Sequence, residues 1–365
     1  MENIKQARFL GFTLLAAGVA MPILAQLNKP TIIEFDAPGA GTGAYQGTIA
    51  LDMNPAGAIV GYYFTGSGAV GGYGFVRTPD GNFQRFSVPT AYFTYPESIN
   101  PEGEVAGFCF NDLFGIGFLR APDGDLTVFE VPGAGTGSGQ GTFPWDINAA
   151  GAIAGTYVDG NGVSHGFVRA PGGAITTFDV PGAGTGANQG TYMASQEGLG
   201  EAGAIAGWYI DSNSVNHGYL RGPDGTITAL DAPGAGTGAD QGTLAYGINP
   251  AGEIPGVYYD GNNVLHGFLR YPGGKFVAID VPGATGTQVE NINTFGVIDG
   301  NYYDAHGASH GFARAPGGTI VRFDAPGAGT ASGQGTSVGA NNASGEVPGY
   351  YTDENNVFHG FLWKP

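Results

Sequence analysis

Residues 130–178 read EVPGAGTGSGQGTFPWDINAAGAIAGTYVDGNGVSHGFVRAPGGAITTF, and this unit returns at 179–230, 231–279, 280–323 and, incompletely, 324–365. Looser copies fill 36–86 and 87–129. The residue opening each unit falls at Asp36, Ser87, Glu130, Asp179, Asp231, Asp280 and Asp324, between 43 and 52 residues apart. A unit this short cannot bury its apolar face alone. The chain must therefore stack or ring its units so that each covers the next.

Each unit holds four short extended segments. Segment a ends in Ile-Asn, as at Ile147-Asn148; segment b is Ile-Ala-Gly-x-Tyr, as in 153–157; segment c is His-Gly-Phe-x-Arg, as in 165–169; segment d runs into Phe-Asp, as in 175–179. All are rich in aromatic and β-branched residues and bounded by Gly, Pro, Asn and Asp, the pattern of strands. No stretch after the N-terminal region carries a helical apolar period. The a–b and c–d turns are tight, whereas the d–a connection is long enough to cross from an outer strand to an inner one. Four-stranded antiparallel units of this length are propeller blades.

The ends set the blade number. The chain finishes on Phe361-Leu362-Trp363-Lys364-Pro365, a segment c with no d after it, and Thr31 to Asp36 is a d with no a, b or c before it. Seven a-b-c sets and seven d segments result. The expected fold is all-β: a seven-bladed propeller of four-stranded blades over residues 26–365, closed by the N-terminal strand completing the last blade and so removing two open edges.

The 69 glycines and 23 prolines among 365 residues would suggest low complexity in an aperiodic chain. The repeat instead assigns most glycines to turns, and 23 Phe, 18 Tyr and 3 Trp supply a core that disordered chains lack. The net charge of −18 and the absence of any basic stripe exclude nucleic acid and anionic membranes as partners. Lys5 and Arg8, followed by the apolar run 9–25, form a signal peptide expected to be cut after Ala20 or Ala25, so the mature protein is expected to be secreted, periplasmic or extracellular. Cys109, the single cysteine, forbids an intramolecular disulfide and reads as a buried small hydrophobe.

The recurring Ile-Asn-x-x-Gly-x-Ile-x-Gly-x-Tyr…His-Gly-Phe-x-Arg resembles the bacterial extracellular repeats named for a His-Ala-Phe motif, the HAF repeats. Here Gly replaces the middle alanine at His165, His217, His266, His310 and His359, and Tyr73 and Ile116 stand for histidine in the first two copies. The resemblance covers essentially the whole mature chain and implies an exported repeat protein. It brings no catalytic residues.

Each motif histidine follows an aspartate by six residues: Asp159/His165, Asp211/His217, Asp260/His266, Asp304/His310 and Asp353/His359. An Asp-oriented His can act as a base or a ligand. Five copies spread around a ring cannot converge on one substrate, so these pairs are expected to close hairpins. The Gly-Ala-Gly-Thr-Gly loops lack the lysine or helix start of a phosphate cradle. Turns such as Asp159-Gly160-Asn161-Gly162 lack the calcium-loop pattern and suit tight hairpins; no cofactor is expected, although scattered Ca²⁺ sites stay open.

Positions that break the repeat are better candidates, because the fold does not explain them. Counting back three from the Asn of segment a (Gly200 in the fourth unit) gives Leu51, Glu97, Trp145, Glu197, Tyr246, Glu290 and Gly339. Counting back two gives Asp52, Ser98, Asp146, Gly198, Gly247, Asn291 and Ala340. With segment a innermost, Glu97, Asp146, Trp145, Glu197, Tyr246 and Glu290 should line an acidic and aromatic channel suited to a sugar or a cation. The expected function is non-catalytic binding of an extracellular glycan or protein through the d–a and b–c loop face, as a monomer. The alternative is a hydrolase or lyase at the channel mouth, where two carboxylates could cleave a glycoside; no compact catalytic signature supports it.

Overall fold

The computed structural model describes residues 30–66, 71–111, 113–194 and 197–365. The expected signal peptide, 1–25, lies outside them. The described residues form 28 strands and no helix. Strand β1 is Thr31–Phe35. Strands β2–β5 are Gly47–Met53, Ile59–Phe64, Gly72–Arg77 and Phe83–Phe86, and β6–β9 are Phe93–Ile99, Val105–Phe110, Gly115–Arg120 and Leu126–Phe129. Strands β10–β13 are Gly141–Ile147, Ile153–Val158, Ser164–Arg169 and Ile175–Phe178, and β14–β17 are Gly190–Met193, Ile205–Ile210, Asn216–Arg221 and Ile227–Leu230. Strands β18–β21 are Gly242–Ala245, Ile254–Tyr259, Leu265–Arg270 and Phe276–Ile279, and β22–β25 are Gly286–Ile292, Ile298–Tyr303, Ser309–Arg314 and Ile320–Phe323. Strands β26–β28 are Gly335–Val338, Val347–Thr352 and Phe358–Lys364.

Within each run the strands pair antiparallel in chain order, as β10–β11–β12–β13 do. All successive runs but β18–β21 and β22–β25 touch through single parallel bridges such as Gly141 to Gly115 and Ser164 to Gly190. The bridge from Phe358 to Gly47 returns the last run to the first. Strand β1 adds to the outside of β28, Thr31 opposite Lys364 and Phe35 opposite Gly360. The N-terminal segment thus supplies the strand missing at the C-terminus, as the sequence led us to expect.

The turns follow from their residues. In the a–b turn of the third unit, the Asn148 side-chain oxygen accepts the Ala152 N–H at 3.0 Å and Gly151 takes φ +76°. At Gly141, the first residue of segment a, φ is +122° and an added Cβ would run into the Gly115 carbonyl of the preceding unit. Only glycine permits that approach. One residue on, the Thr142 hydroxyl accepts the Val131 N–H at 2.9 Å, tying the start of the d–a loop to segment a. The same bond recurs at Thr48, Thr94, Thr191, Thr243, Thr287 and Thr336.

The core lies between units. Ile153, Phe167 and Ala106 pack together from neighbouring runs. The Arg169 guanidinium covers Phe129 of the unit before it at 5.0 Å, and Arg221 covers Phe178 at 4.8 Å. Cys109 is buried with Val105 and Phe118, and burial pushes its thiol up to about 11.

Candidate functional site

Segment a runs from the d–a loop to the a–b turn, so its successive residues form layers along the ring's axis. Nearest the a–b turns is a layer of asparagines. The Asn54 side-chain amide donates to the Asn100 carbonyl at 3.3 Å, Asn100 to that of Asn148 at 3.2 Å, Asn249 to that of Asn293 at 3.4 Å, and Asn293 to that of Asn342 at 2.8 Å. Gly200 interrupts the series, and there the Ile248 N–H donates to the Glu197 carbonyl at 3.0 Å instead. These residues, with Asp52, Asp146 and Glu197, surround a cavity of about 160 Å³ whose walls are both polar and apolar.

Above the asparagines sit buried carboxyls. Asp52 accepts the Ile99 N–H of the next unit at 2.8 Å, and Asp146 accepts the Leu199 N–H at 2.9 Å and the Ser98 hydroxyl at 2.9 Å. Glu197 holds φ +56° and accepts the Ile292 N–H, 95 residues away, at 2.6 Å. A non-glycine residue in that region stores backbone strain. Asp299, on strand b, accepts the Asn291 and Asn341 amides at 2.9 and 2.5 Å. Burial is the leading cause that raises these groups: Asp52 to about 7, Asp146 to about 6 and Asp299 to about 7, with Glu197 held well above its usual range. The charge of Asp299 pushes Glu197 further in the same direction.

Four residues found by counting back three are β-bulges. The ladder skips Leu51, Glu97, Trp145 and Glu290, each one residue more than its partner strand offers. Glu97 and Glu290 are raised to about 8, first by burial and then by Asp52 and Asp299 respectively. The Gln288 amide donates to Glu290 at 2.5 Å.

The outermost layer is made by two positions that the repeat leaves free: the residue after Thr in segment a and the x of Gly-x-Tyr in segment b. They are direct cross-strand partners and so share one face of the sheet. The pairs around the ring are Ile49/Tyr62, Tyr95/Phe108, Phe143/Thr156, Tyr192/Trp208, Leu244/Val257, Gln288/Asn301 and Ser337/Tyr350. Tyr192 and Trp208 stack with centroids 5.6 Å apart and planes 4° apart. Trp145 lies 5.5 Å from Phe108, edge-on, and Tyr246 lies 5.9 Å from Trp208. An aromatic cavity of about 380 Å³ opens among Tyr95, Phe108, Phe143, Trp145, Tyr192 and Trp208. A polar cavity of about 260 Å³ opens among Gln288, Glu290, Asn301, Tyr303, Ser337 and Tyr350.

The six singled-out residues do not share one cavity: Asp146 and Glu197 line the cavity among the asparagines, Trp145 the aromatic one and Glu290 the polar one, while Glu97 and Tyr246 line none of the three. Asp299 and the segment-b residues Tyr62, Phe108 and Trp208 escaped sequence reasoning, which looked for irregularity only in segment a. The x of Gly-x-Tyr was itself the missed signal.

The motif histidines lie away from the axis. The hydrogen bond expected between Asp159 and His165 runs elsewhere: His165 Nδ1 meets Asp179 at 2.7 Å, whereas Asp159 stands 3.8 Å from Nε2. The c–d register decides this, because Gly166 opposite Phe178 sets His165 beside Asp179. Asp159 instead accepts the Asn161 and Val163 N–H groups and closes the b–c turn. His217, His266 and His310 repeat the arrangement with Asp231, Asp280 and Asp324. The earlier partners Asp211, Asp260, Asp304 and Asp353 stand 3.7–3.9 Å from Nε2. Among the described residues, no group of three or more His, Cys, Asp or Glu side chains is placed to hold a metal ion.

No family model and no curated protein matches the chain. Solved structures do. Virginiamycin B lyase from Staphylococcus aureus aligns over 92% of this chain and 100% of its own at 14% identity, with a TM-score of 0.59. The β-propeller domain of the Trilobed protease from Pyrococcus furiosus aligns over 88% and 96% at 10% identity and 0.55. The BP39L lectin from Burkholderia pseudomallei aligns over 92% and 97% at 11% identity and 0.54. The fold is a β-propeller. In this propeller the free cross-strand positions gather toward the d–a end of the axis, while the cavity nearest the a–b turns is lined by the repeat asparagines together with Asp52, Ser98, Asp146 and Glu197. No helix among the described residues is long and apolar enough to cross a membrane.

Proposed function

We propose that this is an exported, seven-bladed propeller of the HAF-repeat kind that binds a glycan, without catalysis, at the d–a mouth of its axis. The 28 strands in runs of four support seven blades, β1 completing the last. The observation that carries the function is the stacked Tyr192/Trp208 pair beside Trp145, partly exposed aromatic faces that line a cavity with Phe108 buried behind them. Aromatic faces take the apolar faces of sugar rings, and neutral carboxyls and amides hydrogen-bond hydroxyls without demanding a charged ligand. A lectin and a lyase both occur among the structural neighbours, so the choice between binding and catalysis rests on the site and not on the fold. The test is a glycan array probed with the mature protein, with and without Ca²⁺. Binding that Trp208→Ala abolishes is the expected result; a blank array at high protein concentration sinks the reading.

One observation favours a hydrolase or lyase instead. Glu97 and Glu290, raised to about 8, are protonated at neutral pH, the state a general acid requires. Turnover of a bound polysaccharide that disappears in Glu97→Gln or Glu290→Gln would establish that alternative.

A further inference from the structure

The outermost layer of the axis is divided by polarity. From the first unit to the fifth its cross-strand pairs are aromatic or aliphatic apart from Thr156, with hydroxyls besides only at the ring tips of Tyr62, Tyr95 and Tyr192; in the sixth and seventh they are Gln288/Asn301 and Ser337/Tyr350. No charged side chain lines the aromatic cavity, whose further walls are Phe110, Val158 and Met193. The polar cavity, by contrast, presents amides, hydroxyls and one carboxyl. Within it the Tyr303 hydroxyl donates to the Gln288 oxygen at 2.8 Å and the Gln288 amide donates to Glu290, so the wall is already ordered.

The two cavities share one layer, that of the cross-strand pairs, on different units of the ring. Tyr62, from the first unit, packs on Tyr95 of the aromatic cavity at 4.8 Å. Across the ring, Tyr246 packs on Trp208 and feels Glu290. A ligand broad enough to reach both cavities meets an apolar wall and a hydrogen-bonding wall together. A bare sugar presents hydroxyls around its whole rim and would leave several of them unpaired against Phe143 and Trp145, which costs affinity.

Resting on the glycan reading above, we infer that the ligand is amphipathic: a sugar carrying an aryl or similar apolar substituent, the substituent in the aromatic cavity and the sugar hydroxyls against Gln288, Asn301 and Tyr350. The two cavities then act as two subsites of a single site.

Calorimetric titration of the mature protein with matched pairs of glycosides tests this, each sugar as its methyl and its 4-nitrophenyl glycoside, alongside 4-nitrophenol alone. For a sugar that binds, the aryl glycoside should be tighter by about tenfold or more, the gain expected from burying one ring. Trp208→Ala should weaken both glycosides, the aryl one more, and so shrink that difference, whereas Asn301→Ala should weaken both while leaving their ratio within about twofold. Equal affinity for aryl and methyl glycosides overturns the inference and leaves the glycan reading standing. 4-Nitrophenol binding as tightly as its glycosides overturns it too, since the polar subsite would be idle. No binding by any member of the panel overturns both.

Discussion

His359 and Asp36 lie 323 residues apart in the chain and 3.0 Å apart in the structure, imidazole Nδ1 to carboxylate. The same bond joins His165 to Asp179 within the chain's interior, so the closure reproduces an internal contact using the two ends. The bond itself is half-exposed and should contribute little, about 0.2–1 kcal/mol. The ladder behind it matters more, because β1 covers the edge of β28 and sets Phe35 beneath the Arg77 guanidinium at 4.5 Å. Asp36→Ala should therefore shift the melting temperature by only a degree or two. Removal of residues 31–36 should lower it far more and promote association through the bared β28 edge. Thermal melts with light scattering separate the two; equal melts for wild type and deletion would show that β1 does not close the ring.

The axial carboxyls predict an unusual pH profile. Glu97 and Glu290 are raised from 4.5 to about 8, and Asp52 and Asp299 from 3.8 to about 7. Between about pH 4 and 8 the folded protein binds more protons than the unfolded chain, so stability falls as pH rises through that window. The turn aspartates Asp159, Asp211, Asp260 and Asp353 have the opposite sign: their lowered values contribute stability that is lost below about pH 4. The melting temperature should peak near pH 4–5 and decline toward pH 9. Replacement of Glu97 and Glu290 together by Gln should flatten the decline, and an unchanged slope would mean that these two carboxyls are not buried as neutral acids.

The architecture was legible in the sequence because it rests on local, repeated rules: Asn148 and Gly151 make one turn, Gly141 permits one close approach, and each recurs in most units. The axis was partly legible. Glu97 and Glu290 break the segment-a pattern visibly, and the extra residue they add is a bulge. Asp299 was hidden because it stands in segment b, where Ala154 or Ala206 would sit, and only the ring brings it toward Glu197. The partner of His165 was misjudged for a related reason. Proximity along the b–c hairpin pointed to Asp159, but the hydrogen bond depends on c–d register, which spacing alone does not give.

Gly141 and Gly160 make a matched comparison. Gly141 combines φ +122° with the Gly115 carbonyl in the path of any Cβ, whereas around Gly160 nothing stands within 4 Å. Gly141→Ala should cost about 3 kcal/mol or more, through both strain and displacement of the preceding unit. Gly160→Ala should stay within about 0.5 kcal/mol. Urea denaturation measures both; a mild effect at Gly141 would show that adjacent units can slide apart without loss.

His266 separates a fold role from a ligand role. Its ring stacks on Tyr258 at 4.9 Å and its Nδ1 meets Asp280 at 3.2 Å, on the outer part of a unit and away from the axial cavities. His266→Ala should cost about 1 kcal/mol, a fall of a few degrees in melting temperature for a chain this long, and leave glycan affinity unchanged. Trp208→Ala should do the reverse, because its partly exposed ring lines the aromatic cavity. Measuring melts and titrations on both variants gives four numbers. Loss of binding in His266→Ala without loss of stability would move the ligand site from the axis to the rim of the ring.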